Sequence, residues 1–351
     1  MALLSSSLFN DSSWSQQPFV LLQSSVAQSS IPLLRRILEN NLKTHQNCTL
    51  LFSFIYPPTD LLGDVSSPAE NVRVFDWLKA VPDYASDWSD PRVKIFNAVE
   101  KAPSGSIQII IDSVDILCSD IGSMSETYKF LSDLLNLVRA RPSPSRLIVH
   151  GMRPSQLVPL LIQPTFSSPL VQLVAHPVVL LTYLAKDYLT PPPPSTLRAK
   201  FWNVFLPLSE RIHDVERLVY GTNGEGSGGV AEIVFEILVR SGEGRRRGIE
   251  REIEGWSVKA GPCNLTKLES LKEVWTKKAI AEAGPDPTQN ISFNLSLTPS
   301  QQESRAQVPL PYVHEGDPMN RGNRDATAAI FYDPDSADDI DDDDPDEDLD
   351  I

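Results

Sequence analysis

Short apolar runs alternate with amphipathic segments through the first half of the chain. The apolar runs are as continuous as those of parallel strands that are buried on both faces. The segments between them repeat apolar residues three or four positions apart, as one face of a helix does. They predict strands at 19–23, 49–56, 72–77, 106–113, 146–151 and 178–184 and helices at 32–42, 91–101, 125–139 and 155–162. This order predicts an α/β fold with a mostly parallel sheet and helices on both faces.

The pattern changes after the four prolines at 191–194. A long, partly alternating apolar segment is followed by Ser-Gly-Glu-Gly at 241–244, which is typical of a hairpin turn. We therefore expect the sheet to finish with antiparallel strands. The elements predicted here are strands at 201–206, 230–240 and 245–256 and a helix at 265–283, with Thr266 and Glu269 as its capping box.

The acidity of the chain is concentrated at its end. The sequence has a formal net charge of −15, but residues 333–351 hold 12 acidic residues and no basic one, which leaves −3 for the rest. From residue 285 the chain is rich in Pro, Gln, Ser and Asn, a composition typical of disorder. We predict a domain at 1–284, a proline-rich linker at 285–332 with apolar docking segments at 291–297 and 309–313, and an acidic disordered tail at 333–351.

The N-terminal residues and the cysteines indicate an intracellular protein. The first apolar residues lack a preceding basic region, so we expect no secretory signal, and no apolar stretch is long enough to span a bilayer. Cys48, Cys118 and Cys263 lie far apart with no histidine at ligand spacing, which argues against a zinc site. We expect reduced thiols, no metal, no other cofactor and no membrane partner.

The loop at 24–31 follows the first predicted strand, where a P-loop fold holds nucleotide phosphate. Such a loop needs glycines and a lysine, and this one contains neither. Asp112 ends a strand in the way of a magnesium-linked aspartate, but without the lysine it is better interpreted as the cap of a turn. The glycine-rich stretch at 221–229 leads into a strand and lacks lysine, which favours a flexible connection. We expect no nucleotide hydrolysis, and an autonomous ATPase with a degenerate loop stays an alternative.

Positive charge is concentrated around the predicted hairpin. Arg245, Arg246 and Arg247 are the candidate nucleic-acid contacts, and Trp256 is close enough in sequence to stack on a base. The alternative, which is slightly favoured, is an exposed basic strand face that is paired with nearby glutamates. The complete set of arginines is Arg240, Arg245, Arg246, Arg247 and Arg251, and the glutamates are Glu243, Glu250, Glu252 and Glu254.

Two further features can be interpreted either as functional sites or as ordinary parts of a folded or disordered chain. The acidic run at 338–350 could bind a basic protein, which would make the chain an adaptor, although solvated disorder is the commoner explanation for such a run. None of the five histidines stands in the sequence context of a catalytic triad. We therefore predict no catalytic residue.

Several motifs together resemble one known family. They are Phe-Asn-Leu-Ser-Leu-Thr at 293–298, Leu-Pro-Tyr at 310–312 and Ile-Phe-Tyr-Asp at 330–333 before the acidic run. With the RecA-like order of elements and the stripped phosphate loop, they resemble the fifth subunit of the Elongator complex, a family also tied to killer-toxin insensitivity. The resemblance spans nearly the whole chain.

The resemblance implies a RecA-like fold without nucleotide motifs of its own. Members of the family join Elongator subunits four and six in a hetero-hexameric ring. That ring binds tRNA and accompanies the catalytic subcomplex that modifies the wobble uridine, which implies a cytoplasmic and nuclear location. The family supplies no catalytic residue that could be transferred to this sequence.

Overall fold

The computed structural model divides the chain into two units, Met1–Gly284 and Pro285–Ile351. In the second unit, Ser304 Oγ donates to the carbonyl of Ser300 at 2.8 Å within a short helical piece. The architecture below is that of the first unit. The structure describes residues 4, 17–44, 48–63, 71–86, 88–221, 231–241, 248–275, 299–300 and 303–304.

One mixed β-sheet organises the first unit. Its strands run in the order β3-β2-β4-β5-β1-β6-β7-β8-β9 across the part of the chain that the structure describes. Neighbouring strands from β3 to β6 are parallel, whereas β7, β8 and β9 are added antiparallel. The strands are β1 (Phe19–Ser25), β2 (Cys48–Ser53), β3 (Val72–Asp76), β4 (Ile107–Ile111), β5 (Arg146–Arg153), β6 (Leu170–His176), β7 (Glu232–Arg240), β8 (Ile249–Ser257) and β9 (Gly261–Cys263).

Helices cover both faces of this sheet. The first face packs α1 and α2, and the second face packs the other helices and two 3₁₀ turns at Leu265–Lys267 and Glu269–Leu271. The predicted fold class, a RecA-like mostly parallel sheet with antiparallel C-terminal strands, is confirmed. The helices are α1 (Ile31–Thr44), α2 (Pro58–Leu62), α3 (Pro91–Glu100), α4 (Val114–Ile121), α5 (Met124–Arg139), α6 (Val158–Ile162), α7 (Val178–Asp187), α8 (Arg198–Glu210) and α9 (Ile212–Tyr220).

The second face carries two separate apolar clusters. One packs α3 to α6 on β1, β2, β4 and β5, with Leu21 and Phe52 among its buried strand residues. The other packs α7 to α9 and the 3₁₀ turns on β7 and β8, with Val234 and Ile253 contributed by the strands. The first face has a continuous cluster that runs from β2 to β8. The apolar packing is therefore continuous across the first face of the sheet and is split into two clusters on the second face.

Gly255 in β8 allows the segment that contains the two 3₁₀ turns to pack closely against the sheet. Leu268, which lies between the two 3₁₀ turns, is fully buried directly over it. A methyl group at Gly255 would lie 3.0 Å from Leu268 Cδ1, closer than packed carbon atoms normally come. The absent side chain thus lets this segment pack against the strand.

Two predicted strands are wrong, and one predicted helix is correct only at residues 272–275 of its described part. The segments 178–184 and 201–206, predicted as strands, form α7 and α8, and the strand that precedes them, β6, was not predicted. The helix predicted at 265–283 begins instead as two 3₁₀ turns, and residues 276–283 lie outside the described part. Asn264, rather than Thr266, caps the first turn, because its Oδ1 accepts from the Thr266 N–H at 3.2 Å.

The antiparallel pair at the predicted hairpin is confirmed. β7 and β8 pair antiparallel along their whole length, from Glu232 opposite Ser257 to Arg240 opposite Ile249. The predicted turn at 241–244 lies mostly outside the described residues. The glycine-rich stretch at 221–229, apart from Gly221, also lies outside them, as do the two apolar docking segments and the acidic tail. Among the described residues, no helix combines the length and apolar character needed to cross a membrane.

Candidate functional site

The loop between β1 and α1 is closed by its own hydrogen bonds. Ser25 and Gln28 exchange backbone hydrogen bonds across it, with N···O distances of 2.8 Å from the Ser25 N–H and 3.2 Å from the Gln28 N–H. The Ser30 N–H donates to Ser24 Oγ at 2.8 Å. In a phosphate-binding loop, the backbone amides between the strand and the helix face the phosphate. In this loop the amides of Ser25, Gln28 and Ser30 donate within the loop itself, which also lacks the lysine.

A buried hydrogen-bonded chain connects this loop to the ends of β4 and β5. The ring of His150 lies between Ser24 and Asp112, with 2.7 Å from Ser24 Oγ to Nε2 and 2.6 Å from Nδ1 to the Asp112 carbonyl oxygen. The carbonyl can only accept, so Nδ1 carries the proton and the Ser24 hydroxyl donates to Nε2. Burial lowers the pKa of His150, although the hydrogen bond to the Asp112 carbonyl acts in the opposite direction. Because its pKa is lowered, the ring is neutral.

The contact between Ser24 and His150 is structural rather than catalytic. A serine next to a neutral histidine is the pair that activates a nucleophile, provided that a substrate can reach the hydroxyl. Both Ser24 and His150 are only 1% exposed, and Ser24 Oγ already has Ser30 Oγ at 2.9 Å. The pair therefore holds the start of α1 against the sheet.

The carboxylate of Asp112 is also occupied. It accepts three backbone N–H groups that follow β2, from Phe54 at 2.7 Å, Ile55 at 3.1 Å and Tyr56 at 2.8 Å. Burial raises the pKa of Asp112, and these three donors act in the opposite direction. Asp112 caps a turn, as predicted, but the turn is the one after β2 instead of the one after its own strand. Ser113 caps α4 in its place, accepting from the Ile116 N–H.

The candidate arginines of the hairpin divide into two groups. Arg245, Arg246 and Arg247 lie outside the described residues, so their prediction is untested. Arg240 is engaged with its own chain, because its guanidinium donates to the carbonyl oxygens of Ser168 at 2.8 Å, Ile162 at 2.9 Å and Ser167 at 2.6 Å. Its partial burial lowers its pKa.

The glutamates near the hairpin pair differently from the expected pattern. Arg251 lies 3.4 Å from the carboxylate of Glu236, a residue of the neighbouring strand that was not among the predicted partners. Glu252 pairs with Arg198 of α8 at 2.5 Å. The expected stacking role of Trp256 is wrong, because its ring is buried in the core of the first face and cannot receive a base.

The three cysteines are separate thiols, of which Cys48 and Cys118 are half-buried and Cys263 is buried. Cys48, Cys118 and Cys263 are free, and burial raises the pKa values of Cys48 and Cys263, which disfavours the reactive thiolate. Within the described ranges, no three histidine, cysteine or acidic side chains come together in a group that could hold a metal ion.

The sheet order and the closed loop define a class of protein: a RecA-like domain in which the phosphate-binding loop is a structural turn. The sequence profile of a family described as Elongator subunit Iki1 matches residues 4–333. The match covers nearly the whole chain, and the chain belongs to this family.

Individual relatives align over shorter segments. Elongator complex protein 5 from Homo sapiens is 41% identical over 70 residues, which are 19% of this chain and 23% of that protein. Elongator complex protein 5 from Danio rerio is 37% identical over 105 residues, which are 29% of this chain and 36% of that protein. The chain thus spans about a quarter to a third of the length of these relatives.

Two solved structures match this chain at low similarity. A KaiC-like protein from Pyrococcus horikoshii superposes with a TM-score of 0.39 and 10% identity, over 71% of this chain and 89% of that chain. A DnaB-like replicative helicase superposes with a TM-score of 0.34 and 11% identity, over 71% of this chain and 59% of that one.

Proposed function

We propose that this chain is a non-catalytic subunit of Elongator that joins subunits four and six in a hetero-hexameric RecA-like ring. The ring binds tRNA and supports the catalytic subcomplex in wobble-uridine modification, in the cytoplasm and the nucleus. Membership of the family supports the Elongator role. The observation that carries the non-catalytic part is the closed loop. Its Ser25, Gln28 and Ser30 N–H groups donate to acceptors within the loop and are therefore not free for a nucleotide phosphate.

The test of assembly is native mass spectrometry after co-expression with Elongator subunits four and six. We expect a hetero-hexamer with equal amounts of the three chains. A single copy of this chain that is indifferent to both partners contradicts the proposal.

The closed loop and the occupied Asp112 argue against an autonomous ATPase. The loop amides are not free for a phosphate, and the Asp112 carboxylate at the end of β4 is not free for magnesium, since it already accepts three backbone N–H groups. The matching experiment is an ATPase assay on the isolated chain, in which we expect no hydrolysis above the background of an Asp112→Ala variant. Hydrolysis that this substitution abolishes would favour the ATPase alternative.

Arg245, Arg246 and Arg247 are the proposed tRNA contacts of this chain. The support is that Arg240 and Arg251, on either side of them, are held by the chain's own carbonyls and by Glu236, while the three lie in the segment joining β7 to β8. Replacing all three by Ala should weaken tRNA binding by the assembled ring. It should also reduce the slope of log affinity against log salt by about 0.7–0.9 for each tRNA phosphate that these arginines neutralise.

The control is the triple replacement of Arg35, Arg36 and Lys43 by Ala, which removes the same charge from exposed positions of α1. Equal effects of the two triple variants would mean that the hairpin arginines contribute only general electrostatic attraction and make no specific contact with tRNA. An unchanged affinity and salt slope for the hairpin variant rules it out as a contact.

A further inference from the structure

A polar cleft lies between the two apolar clusters of the second face. It has a volume of about 570 Å³ and lies between α6 on one side and α8 on the other. Its floor is formed by four adjacent strands, β1, β6, β7 and β8. The lining residues that carry the argument are Gln23, Arg153, Gln172, Glu210, Glu236 and Arg251.

The floor of the cleft is polar at positions where the same face is otherwise apolar. In β1, Phe19 and Leu21 point into the core, and Gln23 is the next residue on that side. Gln23 lies opposite Val174 of β6, which in turn lies opposite Glu236 of β7. Burying polar groups in the centre of a sheet costs free energy unless a partner satisfies them. Gln23 and Glu236 are therefore polar residues that core packing alone does not require.

Glu236 is satisfied within the protein. Its carboxylate accepts from His176 Nε2 at 3.2 Å and lies 3.4 Å from Arg251 Nε. Burial by itself raises the pKa of Glu236, but the hydrogen bond from His176 and the charges of His176, Arg251 and Arg153 bring it below its usual value. The carboxylate is thus ionised and balanced, and it supplies one negative charge to a cleft that Arg153 and Arg251 line.

Two donors in the cleft remain available. Gln23 is 3% exposed, and its Nε2 has no hydrogen-bond partner. The side chain of Arg153, half-buried at the end of β5, makes no hydrogen bond or ion pair with any described residue. An amide N–H and a guanidinium facing one cavity are matched by the oxygen atoms of an anion, and a charged acceptor makes the stronger hydrogen bonds.

We propose that the polar cleft binds a small molecule through an oxyanion, a carboxylate or a phosphate, held by the Arg153 guanidinium and the Gln23 amide. The volume is within the range of about 300–1,000 Å³ of small-molecule sites. Arg153 is the last residue of β5 and Gln23 lies near the carboxyl end of the neighbouring parallel strand β1, the edge at which open α/β sheets bind ligands. Glu210, which is exposed at the rim, opposes an anion weakly because solvent screens it. The inference does not depend on ring assembly.

The experiment titrates the isolated full chain with inorganic phosphate and, separately, with succinate, using isothermal calorimetry. We expect saturable binding of at least one of them with one ion per chain. The anion that binds more tightly decides between the two chemical classes. The absence of saturable binding of both overturns the proposal.

Three variants make the result specific to the cleft. Arg153→Met should weaken binding about tenfold, because it removes a charge-assisted hydrogen bond. Glu210→Gln should strengthen it about two- to threefold by removing the opposing charge. Arg35→Met, an exposed arginine on α1 at the opposite face, should leave it unchanged.

Equal affinities for the wild-type chain, Arg153→Met and Glu210→Gln would also overturn the proposal, since the anion would then bind elsewhere. Gln23→Met tests the second donor and should weaken binding about fivefold. Because Gln23 is buried, that variant is first compared with the wild type by thermal unfolding. If it does not fold, Arg153→Met and Glu210→Gln, which alter less buried side chains, still decide the question.

Discussion

In the loop after β1, hydrogen bonds among a few buried side chains take the place of a phosphate-binding site. Ser24, Ser30 and His150 form a connected buried group, and Asp112 joins it through its carbonyl while its carboxylate caps a separate turn. Restoring glycine and lysine to the loop would therefore not restore a phosphate site, because the Ser30 N–H already donates to Ser24 Oγ.

The neutral state of His150 predicts a pH dependence of stability. Its pKa in the folded chain is lowered, so the unfolded chain takes up a proton first as the pH falls below about 6.5. The free energy of unfolding should therefore decrease with falling pH by up to about 1.4 kcal/mol per pH unit from this group alone. His150→Gln should flatten the pH dependence between about pH 7.5 and 5.5 in urea unfolding.

Sequence reasoning recovered part of this site. The missing glycine and lysine, and the capping role of Asp112, were readable because they depend on residue type and on neighbouring positions. The bond from Ser24 to His150 joins residues 126 positions apart, and only the pairing of β1 with β5 brings them together. The polar cleft was missed for the same reason, although Glu236 in the middle of the apolar strand β7 was a usable signal.

The two helices that were predicted as strands were mispredicted for different physical reasons. The run at 178–184 is apolar on all sides because α7 is buried nearly all round, and an apolar run of that length does not distinguish a strand from a buried helix. The segment at 201–206 belongs to α8, whose Pro207 lies inside the helix and disguises its period. Strands β1, β2, β4 and β5 were predicted because their runs are bounded and rich in β-branched or aromatic residues.

The contact between β8 and the 3₁₀ turns yields a prediction at the level of elements. Gly255→Ala should lower the free energy of unfolding by about 1–3 kcal/mol, because the added methyl group overpacks against Leu268. Amide hydrogen exchange should increase at residues 265–271. Gly248→Ala at the start of the same strand has open space around the new methyl group and should have little effect.

A double variant separates overpacking from a loss of strand structure. In a Leu268→Ala background the same Gly255→Ala change should cost much less, since the shortened side chain leaves room for the methyl group. Equal costs in the two backgrounds would mean that Gly255 is required for a reason other than the closeness of Leu268.

At the scale of the whole molecule, removing the acidic C-terminal residues should change the net charge without changing the assembly of the ring. Removing residues 333–351 changes the formal net charge from −15 to −3. If those residues act as a solvated tail, we expect the ring with subunits four and six to form as before, with the same stoichiometry by native mass. A neutral Ser/Gly segment of the same length is the control. Loss of partner binding in both variants would favour the alternative of an acidic adaptor.

The position of β1 in the sheet has a consequence for biosynthesis. This strand pairs with β5 on one side and with β6 on the other, and β5 begins at Arg146, 121 residues after β1 ends at Ser25. At about 5–20 residues per second, a ribosome takes about 6–24 s to make that segment. For that interval the nascent chain carries an apolar strand whose neighbours have not yet been made. Chaperone contacts during translation should therefore concentrate on residues 19–25 and end once the ribosome has passed β6.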